Sequence, residues 1–113
     1  MGISTHILDI TRGRPAADVD VTLEFEEAPA RWVAAGSGRT NADGRVKPLE
    51  KEGTPLRAGT YRVNFAVKAY LDEHHKGGFY PSVSITFSVV NPAEHFHVPL
   101  LLSPYGFSTY RGS

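Results

Sequence analysis

The sequence predicts an all-β protein, and three observations support this prediction. Short segments rich in β-branched and aromatic residues recur along the chain, separated by Gly, Pro, Asn and Asp. Their spacing of roughly 8 to 12 residues is typical of a β-sandwich or a β-barrel. The separating segments, such as Asn41-Ala42-Asp43-Gly44 and Asn91-Pro92, hold residues that favour tight turns. Only one stretch lacks this rhythm, so there is little room for helix.

The strands can be placed from these segments and their boundaries. We predict about eight strands, near residues 4–11, 20–26, 32–39, 45–48, 59–66, 82–90, 95–102 and 106–110. The stretch that breaks the pattern covers residues 67–76, where Val67, Tyr70 and Leu71 are spaced unevenly among charged residues. Because Gly77-Gly78 follows it, we predict a short helix that ends at glycine.

Length and composition restrict the class of protein. With 113 residues, the chain has a common size for one domain, so we predict a single domain over residues 1–113. Its 12 basic residues balance its 12 acidic residues, which argues against a nucleic acid or an acidic membrane as partner. No cysteine is present, which excludes disulfides and thiolate nucleophiles. With no secretory signal and no apolar run of ~20 residues, we expect a cytoplasmic protein that binds a small molecule or itself.

Alternation along the strands predicts which side chains share a sheet face. In the seventh predicted strand the core face is Phe96, Val98, Leu100 and Leu102. The opposite face of that strand mixes polar and apolar residues: His95, His97, Pro99, Leu101 and Ser103. The same parity places His6 and Leu8 of the first strand, and Ser108 and Tyr110 of the last, on mixed faces. Such a face is either partly exposed or an interface, and its apolar members favour an interface with another subunit.

Five histidines are candidates for acid–base or metal chemistry, because imidazole titrates nearest to neutral pH. His74 and His75 lie among charged residues of the predicted helix, so we expect them on an ordinary solvated face. His95 and His97 share one strand face, which fits either a shared site or partly exposed strand residues. Together with His6 they also leave a metal site open, although no stronger ligand spacing supports it.

Other local motifs leave both functional and structural interpretations open. Arg45 follows the turn at residues 41–44, where a rigid loop would aim its planar charged group in one direction. A surface arginine at the start of a strand would have the same local sequence. No Gly-x-Ser-x-Gly motif indicates a serine hydrolase. The segment Gly36-Ser37-Gly38-Arg39 lacks the lysine and the following helix of a phosphate-binding loop.

Two longer segments resemble the signature segments of the transthyretin family. They are His6-Ile7-Leu8-Asp9 followed by Gly13-Arg14-Pro15-Ala16, and His95-Phe96-His97-Val98-Pro99-Leu100-Leu101-Leu102-Ser103-Pro104-Tyr105-Gly106-Phe107-Ser108. The turn at residues 41–45 and the segment Gly77-Gly78-Phe79-Tyr80-Pro81 extend the likeness. The segment Tyr110-Arg111-Gly112-Ser113 matches the C-terminal tetrapeptide of the family's 5-hydroxyisourate hydrolases, which the transthyretin carriers lack. Two departures, Phe96 for a common tyrosine and Ser82 for a common glutamate, leave the expected chemistry unchanged.

The resemblance implies a transthyretin-like (prealbumin-like) sandwich of two four-stranded sheets with one short helix. It also implies a homotetramer with active sites between its dimers. The implied reaction, part of urate degradation, hydrolyses 5-hydroxyisourate to 2-oxo-4-hydroxy-4-carboxy-5-ureidoimidazoline without a metal or an organic cofactor. The implied catalytic residues are His6, Arg45, His97 and Ser113. The implied substrate-binding residues are His6, Arg45, Tyr110, Arg111 and Gly112.

Two further functions remain as alternatives from other classes. One is a carrier that binds a small hydrophobic ligand in the channel between the dimers and catalyses no reaction, as transthyretin does for thyroid hormone. The other is an immunoglobulin-like interaction module, which would explain the strands but not why polar residues of separate strands share a face. The histidines, Arg45 and the tetrapeptide favour the hydrolase over both.

Overall fold

The computed structural model describes residues 2–113 and confirms the predicted all-β class. The strands are β1 (Gly2–Asp9), β2 (Arg14–Pro15), β3 (Asp20–Ala28), β4 (Arg31–Arg39), β5 (Arg45–Val46), β6 (Gly59–Ala66), β7 (Val83–Val89), β8 (His95–Ser103) and β9 (Gly106–Thr109). The helix is α1 (Lys68–His75), inside the predicted range. The sequence pattern missed β2, and it extended β5 two residues too far, to Pro48.

The strands form the two sheets of a sandwich, which confirms the predicted architecture. The first sheet has the order β2-β1-β8-β9, with β5 also paired to β1, and the second sheet has the order β4-β3-β6-β7. The first sheet therefore has five strands rather than four, because the two-residue strands β2 and β5 both pair with β1. Strands β1 and β8 lie side by side in parallel, so the two signature segments are direct neighbours.

Side-chain alternation explains how the two sheets bury their core. The inward residues of the second sheet are nearly inaccessible to solvent, among them Val21, Leu23, Val63 and Phe65. The first sheet contributes the predicted stripe of β8, and all four of its residues, Phe96, Val98, Leu100 and Leu102, are buried. Inward Ile3 and Ile7 of β1 complete this layer. Since these faces form the core, the alternate residues of β1 and β8 necessarily face outward.

Helix α1 is attached to the end of β1 by a buried carboxylate. Asp9 Oδ2 accepts hydrogen bonds from the Tyr70 hydroxyl and from His75 Nε2, both at 2.7 Å, and Oδ1 accepts bonds from the backbone N–H groups of Thr11 and Arg12. Arg12 also donates to the Tyr70 hydroxyl at 2.9 Å. Burial opposes ionisation of Asp9, but the bonds from His75, Tyr70 and Arg12 outweigh it and lower the pKa of this carboxyl. This network fixes the helix against the first sheet.

The same network corrects the prediction for His75. We expected His74 and His75 on a solvated face, but the His75 side chain is only 9% exposed and contacts Asp9. The charged neighbours in sequence are misleading because a helix turns successive side chains to different sides. His74 is partly exposed and packs on the Tyr70 ring, with ring centroids 4.5 Å apart. In the part of the chain that the structure describes, no helix is long and apolar enough to cross a membrane.

Candidate functional site

The outward face of the first sheet gathers residues that are far apart in sequence. The parallel pairing of β1 and β8 sets Ser4 opposite His97, and the pairing of β1 with β5 sets His6 opposite Arg45. An isolated bridge then joins His97 to Gly112. As a result, one surface brings together β1, β8, the turn at residues 41–44 and the segment Tyr110–Ser113. This last segment is called here the YRGS segment.

These residues surround an open cleft of about 390 Å³, called here the histidine cleft. Its lining consists of Ser4, Thr5, Arg45, Lys47, His95, His97, Tyr110, Gly112 and Ser113. His6 does not line the cleft itself, but it lies beside Arg45 as its cross-strand neighbour. Parity predicted that His6, His97 and Tyr110 each lie on the mixed face of their own strand, and the structure brings these faces together on one side of the first sheet.

A rigid turn determines the position of Arg45. The Asn41 side-chain oxygen accepts hydrogen bonds from the backbone N–H groups of Asp43 and Arg45, and the Gly44 N–H donates to the Asn41 carbonyl. The turn is joined to β1 by the Ile7 N–H, which donates to the Gly44 carbonyl at 2.8 Å. Glycine is needed at position 44 because φ is 74° and a Cβ would lie 2.5 Å from the Ile7 carbonyl oxygen. The predicted role of the turn in aiming Arg45 thus has a structural basis.

His97 is held on two sides. Its Nδ1 lies 2.8 Å from the hydroxyl oxygen of Ser4, and the same oxygen lies 3.0 Å from Nε2 of His95. The rings of His95 and His97 are nearly parallel, with an interplanar angle of 14° and centroids 6.5 Å apart. On the other side of the His97 ring, the Gly112 backbone passes so closely that a Cβ at this position would lie 2.4 Å from His97 Cδ2. The imidazole therefore has little freedom to rotate.

Burial and nearby positive charge lower the pKa of His97 and of His6, which favours the neutral form of each imidazole. Burial lowers the pKa of His97, and the charges of Arg45, His6 and His95 lower it further, although a hydrogen bond with the Ser4 backbone opposes them. The pKa of His6 is lowered by burial and by Arg45, against a hydrogen bond and a charge from Asp43. The guanidinium of Arg45 thus lies close enough to both His6 and His97 to lower the pKa of each. A neutral imidazole can accept a proton, so the cleft has the means for general base chemistry.

The YRGS segment divides into residues that face the cleft and one that anchors it. The Gly112 N–H donates to the His97 carbonyl at 2.8 Å, which extends the first sheet by one bridge. Tyr110 and Ser113 line the cleft, and Tyr110 is 59% exposed. Arg111 points elsewhere: its guanidinium donates to Glu94 at 2.8 Å and lies 4.8 Å from the centroid of the Phe96 ring. Of the predicted substrate-binding residues in the described chain, His6 and Arg111 do not line the cleft: His6 lies beside it as the neighbour of Arg45, whereas Arg111 is bound to Glu94.

Sequence reasoning missed Ser4, Thr5 and Lys47, and it left His95 undecided. Ser4 could have been found by parity, since it lies two residues before His6 on the same strand face. Its contact with the histidines required the parallel pairing of β1 with β8, which no local pattern predicts. Lys47 lies two residues after Arg45, just beyond the end of β5.

A larger depression lies elsewhere, and no histidine or arginine of the described residues lines it. It measures about 870 Å³ and is formed by β3, β4 and the segment after β5, including Thr22, Ser37 and Lys51. None of the predicted site residues borders it. Of the three carboxylates in its lining, Glu24 is paired with Arg62 at 2.8 Å and Glu50 accepts a hydrogen bond from the Ile3 N–H. Across residues 2–113, no three histidine or carboxylate side chains are grouped as ligands for a metal ion.

A family model described as the HIUase/Transthyretin family matches residues 3–112. The chain belongs to this family. It is 43% identical to the 5-hydroxyisourate hydrolase of Salmonella typhimurium, over 98% of this chain and 80% of that protein. It is 44% identical to the uric acid degradation bifunctional protein TTL of Arabidopsis thaliana, a longer protein of which it covers only 37%.

Solved structures from both branches of the family share the fold. The 5-hydroxyisourate hydrolase of Klebsiella pneumoniae superposes with a TM-score of 0.83 at 35% identity, and all of both chains is covered. Sea bream transthyretin, solved in complex with thyroxine, superposes with a TM-score of 0.89 at 30% identity, over 99% of this chain and 95% of that one. The backbone thus suits either branch, and the side chains of the cleft must distinguish between them.

Proposed function

We propose that this chain, as one domain, hydrolyses 5-hydroxyisourate in urate degradation. The observation that carries the proposal is the convergence of His6, Arg45, His97 and the YRGS segment on one face of the first sheet. Relatives about 40% identical along nearly all of this chain bear the name of this hydrolase. The same residues have the chemistry that opening of a ring amide requires.

The reaction adds water to the carbonyl of the six-membered ring and breaks the bond between that carbon and the ring nitrogen. Neutral water is a weak nucleophile, so a base must accept its proton as the new carbon–oxygen bond forms. A positioned histidine contributes about 10²- to 10⁴-fold in such a step. His6 and His97, both with a lowered pKa, are the candidates for this base and for the acid that protonates the departing nitrogen.

Arg45 meets the charge that develops during the attack. As the water adds, the carbonyl oxygen becomes negative, and a fixed cation stabilises it more than it stabilises the neutral substrate. A guanidinium also donates two parallel hydrogen bonds to a flat, oxygen-rich ring. The turn at Gly44 fixes the backbone of Arg45, so its side chain starts from a defined position at the cleft.

The YRGS segment completes the substrate side of the cleft. Tyr110 supplies an exposed ring and hydroxyl, Ser113 supplies polar groups, and Gly112 allows the backbone to lie against His97. Arg111 holds the segment in place through Glu94 and Phe96 rather than by contact with the substrate. In this proposal the catalytic residues are His6, Arg45, His97 and Ser113.

We also propose that four copies of the chain close the cleft. Half-buried Leu8 and Leu101 lie on the same sheet face as the histidines, and exposed Tyr110 stands beside them. Such a mixed surface is suited to burial against a symmetric copy, which would turn an open cleft into a channel. Light scattering during size exclusion should then give a mass about four times that of the 12.3 kDa chain. A monomeric mass would contradict this part of the proposal.

The carrier function is the second candidate, and the likeness to thyroxine-bound sea bream transthyretin is its support. A carrier of an apolar ligand needs an apolar channel and no base. The histidine cleft instead presents two imidazoles, His95 and His97, and two cationic side chains, Arg45 and Lys47. This lining favours the hydrolase.

The decisive experiment generates 5-hydroxyisourate from urate in situ and follows its ultraviolet absorbance with and without the protein. We expect a large acceleration of the decay, and a loss of about 100-fold or more in kcat/KM for each of His6→Ala, Arg45→Ala and His97→Ala. His74→Ala, a histidine change on α1, is the matched control and should leave the rate unchanged. Near-normal rates in all three cleft variants would refute the assignment. Saturable thyroxine binding without acceleration would favour the carrier.

A further inference from the structure

One buried hydroxyl in the cleft has no part in the chemistry described so far. Ser4 is 5% exposed, and its Oγ lies between Nδ1 of His97, at 2.8 Å, and Nε2 of His95, at 3.0 Å. We propose that Ser4 is a positioning residue that holds His97 in the tautomer with its proton on Nδ1, so that Nε2 is free to accept a proton in the cleft. The inference rests on the proposed hydrolase function and assigns the role of base to His97.

Counting protons limits the arrangements of this trio. A serine hydroxyl has one proton to donate, and the nitrogens of a neutral imidazole are one donor and one acceptor. If the His97 Nδ1–H donates to Ser4, the Ser4 hydroxyl is free to donate to His95 Nε2. If Ser4 instead donates to His97 Nδ1, then His97 carries its proton on Nε2 and cannot act there as a base. The direction of these two hydrogen bonds therefore decides what His97 can do.

The surroundings of His97 favour the first arrangement. In that arrangement the Ser4 oxygen accepts from Nδ1–H of His97 while its own proton goes to Nε2 of His95, so both contacts are satisfied. The hydrogen bond between the His97 ring and the Ser4 backbone, which raises the pKa of this ring against the effect of burial, is also the one expected where the ring donates. The second arrangement would leave Nε2 protonated and so would prevent His97 from accepting a proton in the cleft.

The rest of the cleft uses the nitrogen that this arrangement leaves free. The Cδ2 edge of the His97 ring lies against Gly112, so the ring cannot rotate to move Nδ1 away from Ser4 without displacing the YRGS segment. Within residues 2–113, no hydrogen bond engages Nε2 of His97, and this atom remains available to a water molecule. When Nε2 accepts a proton from water, Nδ1–H keeps its bond to Ser4, and that bond strengthens as the ring becomes charged.

The tautomer can be measured directly, without any substrate. Nitrogen-15 NMR distinguishes protonated from unprotonated imidazole nitrogens, and we expect the neutral His97 of the native protein to carry its proton on Nδ1. In Ser4→Ala and in the nearly isosteric Ser4→Cys, the Nε2–H form should become substantially populated. Ser4→Thr, which keeps a hydroxyl, should restore the native pattern. A native protein with the proton of His97 on Nε2 would overturn the inference, whatever its variants do.

The kinetic arm uses the same variants and separates this inference from the proposed function. Ser4→Ala and Ser4→Cys should lower kcat about tenfold, with little change in KM. A factor of about ten is the change in tautomer population that corresponds to the loss of one ordinary hydrogen bond. Ser4→Thr should recover most of the lost rate. Ser84→Ala, which removes a serine hydroxyl bonded to Asn64 on the second sheet, is the matched control and should match the native enzyme. Native kcat in Ser4→Ala would refute the role of Ser4 alone, whereas a native protein without activity would refute the hydrolase proposal.

Discussion

Replacement of Gly112 by alanine is the sharpest test of how the YRGS segment serves the cleft. Gly112 does not have a positive φ, so a side chain at this position is opposed by steric overlap and not by the backbone conformation. A Cβ would lie 2.4 Å from Cδ2 of His97 and 3.1 Å from its Cγ, whereas ordinary contact begins at 3.4 Å. Either the ring or the segment must therefore move by about 1 Å.

That displacement gives the size of the expected effect. A shift of about 1 Å in a catalytic group can cost about 10²-fold in rate, because the reacting atoms leave their aligned positions. We therefore expect kcat/KM of Gly112→Ala to fall about 100-fold. The folded structure depends little on this contact, since only the hydrogen bond from Gly112 N–H to the His97 carbonyl is at risk. Its loss should lower the free energy of unfolding by about 1 kcal/mol at most.

The assay compares 5-hydroxyisourate decay and urea unfolding for the native protein and two variants. Gly106→Ala is the matched control, because Gly106 has no positive φ and a Cβ there would lie 3.7 Å from the Ser103 hydroxyl, an ordinary contact. It should keep native turnover and stability. Activity in Gly112→Ala within about threefold of native, with the fold intact, would show that the segment does not position His97.

Three further predictions concern pH, the buried carboxylate and the YRGS segment as a whole. Arg45→Gln should move the acid limb of the pH profile of kcat/KM to higher pH, because loss of the positive charge raises the pKa of His6 and of His97. Arg45→Lys keeps the charge and should leave that limb near its native position. Tyr70→Phe removes a bond to buried Asp9 and should lower the free energy of unfolding by about 1.5–3 kcal/mol in urea titrations at pH 7. This deficit should shrink as acid protonates the carboxyl, whose folded pKa is lowered. Deletion of residues 110–113 should abolish turnover while thermal unfolding shifts by only a few degrees.

The fold was predictable because its signals are local. Alternation in β8 identifies Phe96, Val98, Leu100 and Leu102 as core residues, and all four are buried. Turn residues mark nearly every strand boundary. The two-residue strand β2 has no such signal of its own, and the predicted end of β5 was two residues too far, since the pairing of both strands depends on where the loops cross β1. The burial of His75 escaped prediction for the same reason: its partner, Asp9, is 66 positions away in sequence.

The site was predictable in part, and resemblance supplied more of it than alternation did. Parity alone places His6, His97 and Tyr110 on outward faces, but it does not show that these faces adjoin. The resemblance proposed Arg45 and the YRGS segment, which the structure brings to the same surface, and their roles stay predictions. It also proposed Arg111 as a contact to substrate, whereas the described chain pairs this residue with Glu94 outside the cleft. Side-chain direction in the last residues follows contacts that neither motif nor parity encodes.

His97 shows why the cleft draws on such distant parts of the chain. A histidine on an exposed sheet face would normally sample several ring orientations, and ordering it costs conformational entropy. Here the neighbouring parallel strand supplies Ser4 on one side, and the bridge to Gly112 closes the other. Neither contact is available from β8 itself, so the ring is fixed only when β1, β8 and the YRGS segment are assembled. Loss of either partner should therefore leave a folded protein whose histidine is present but misplaced.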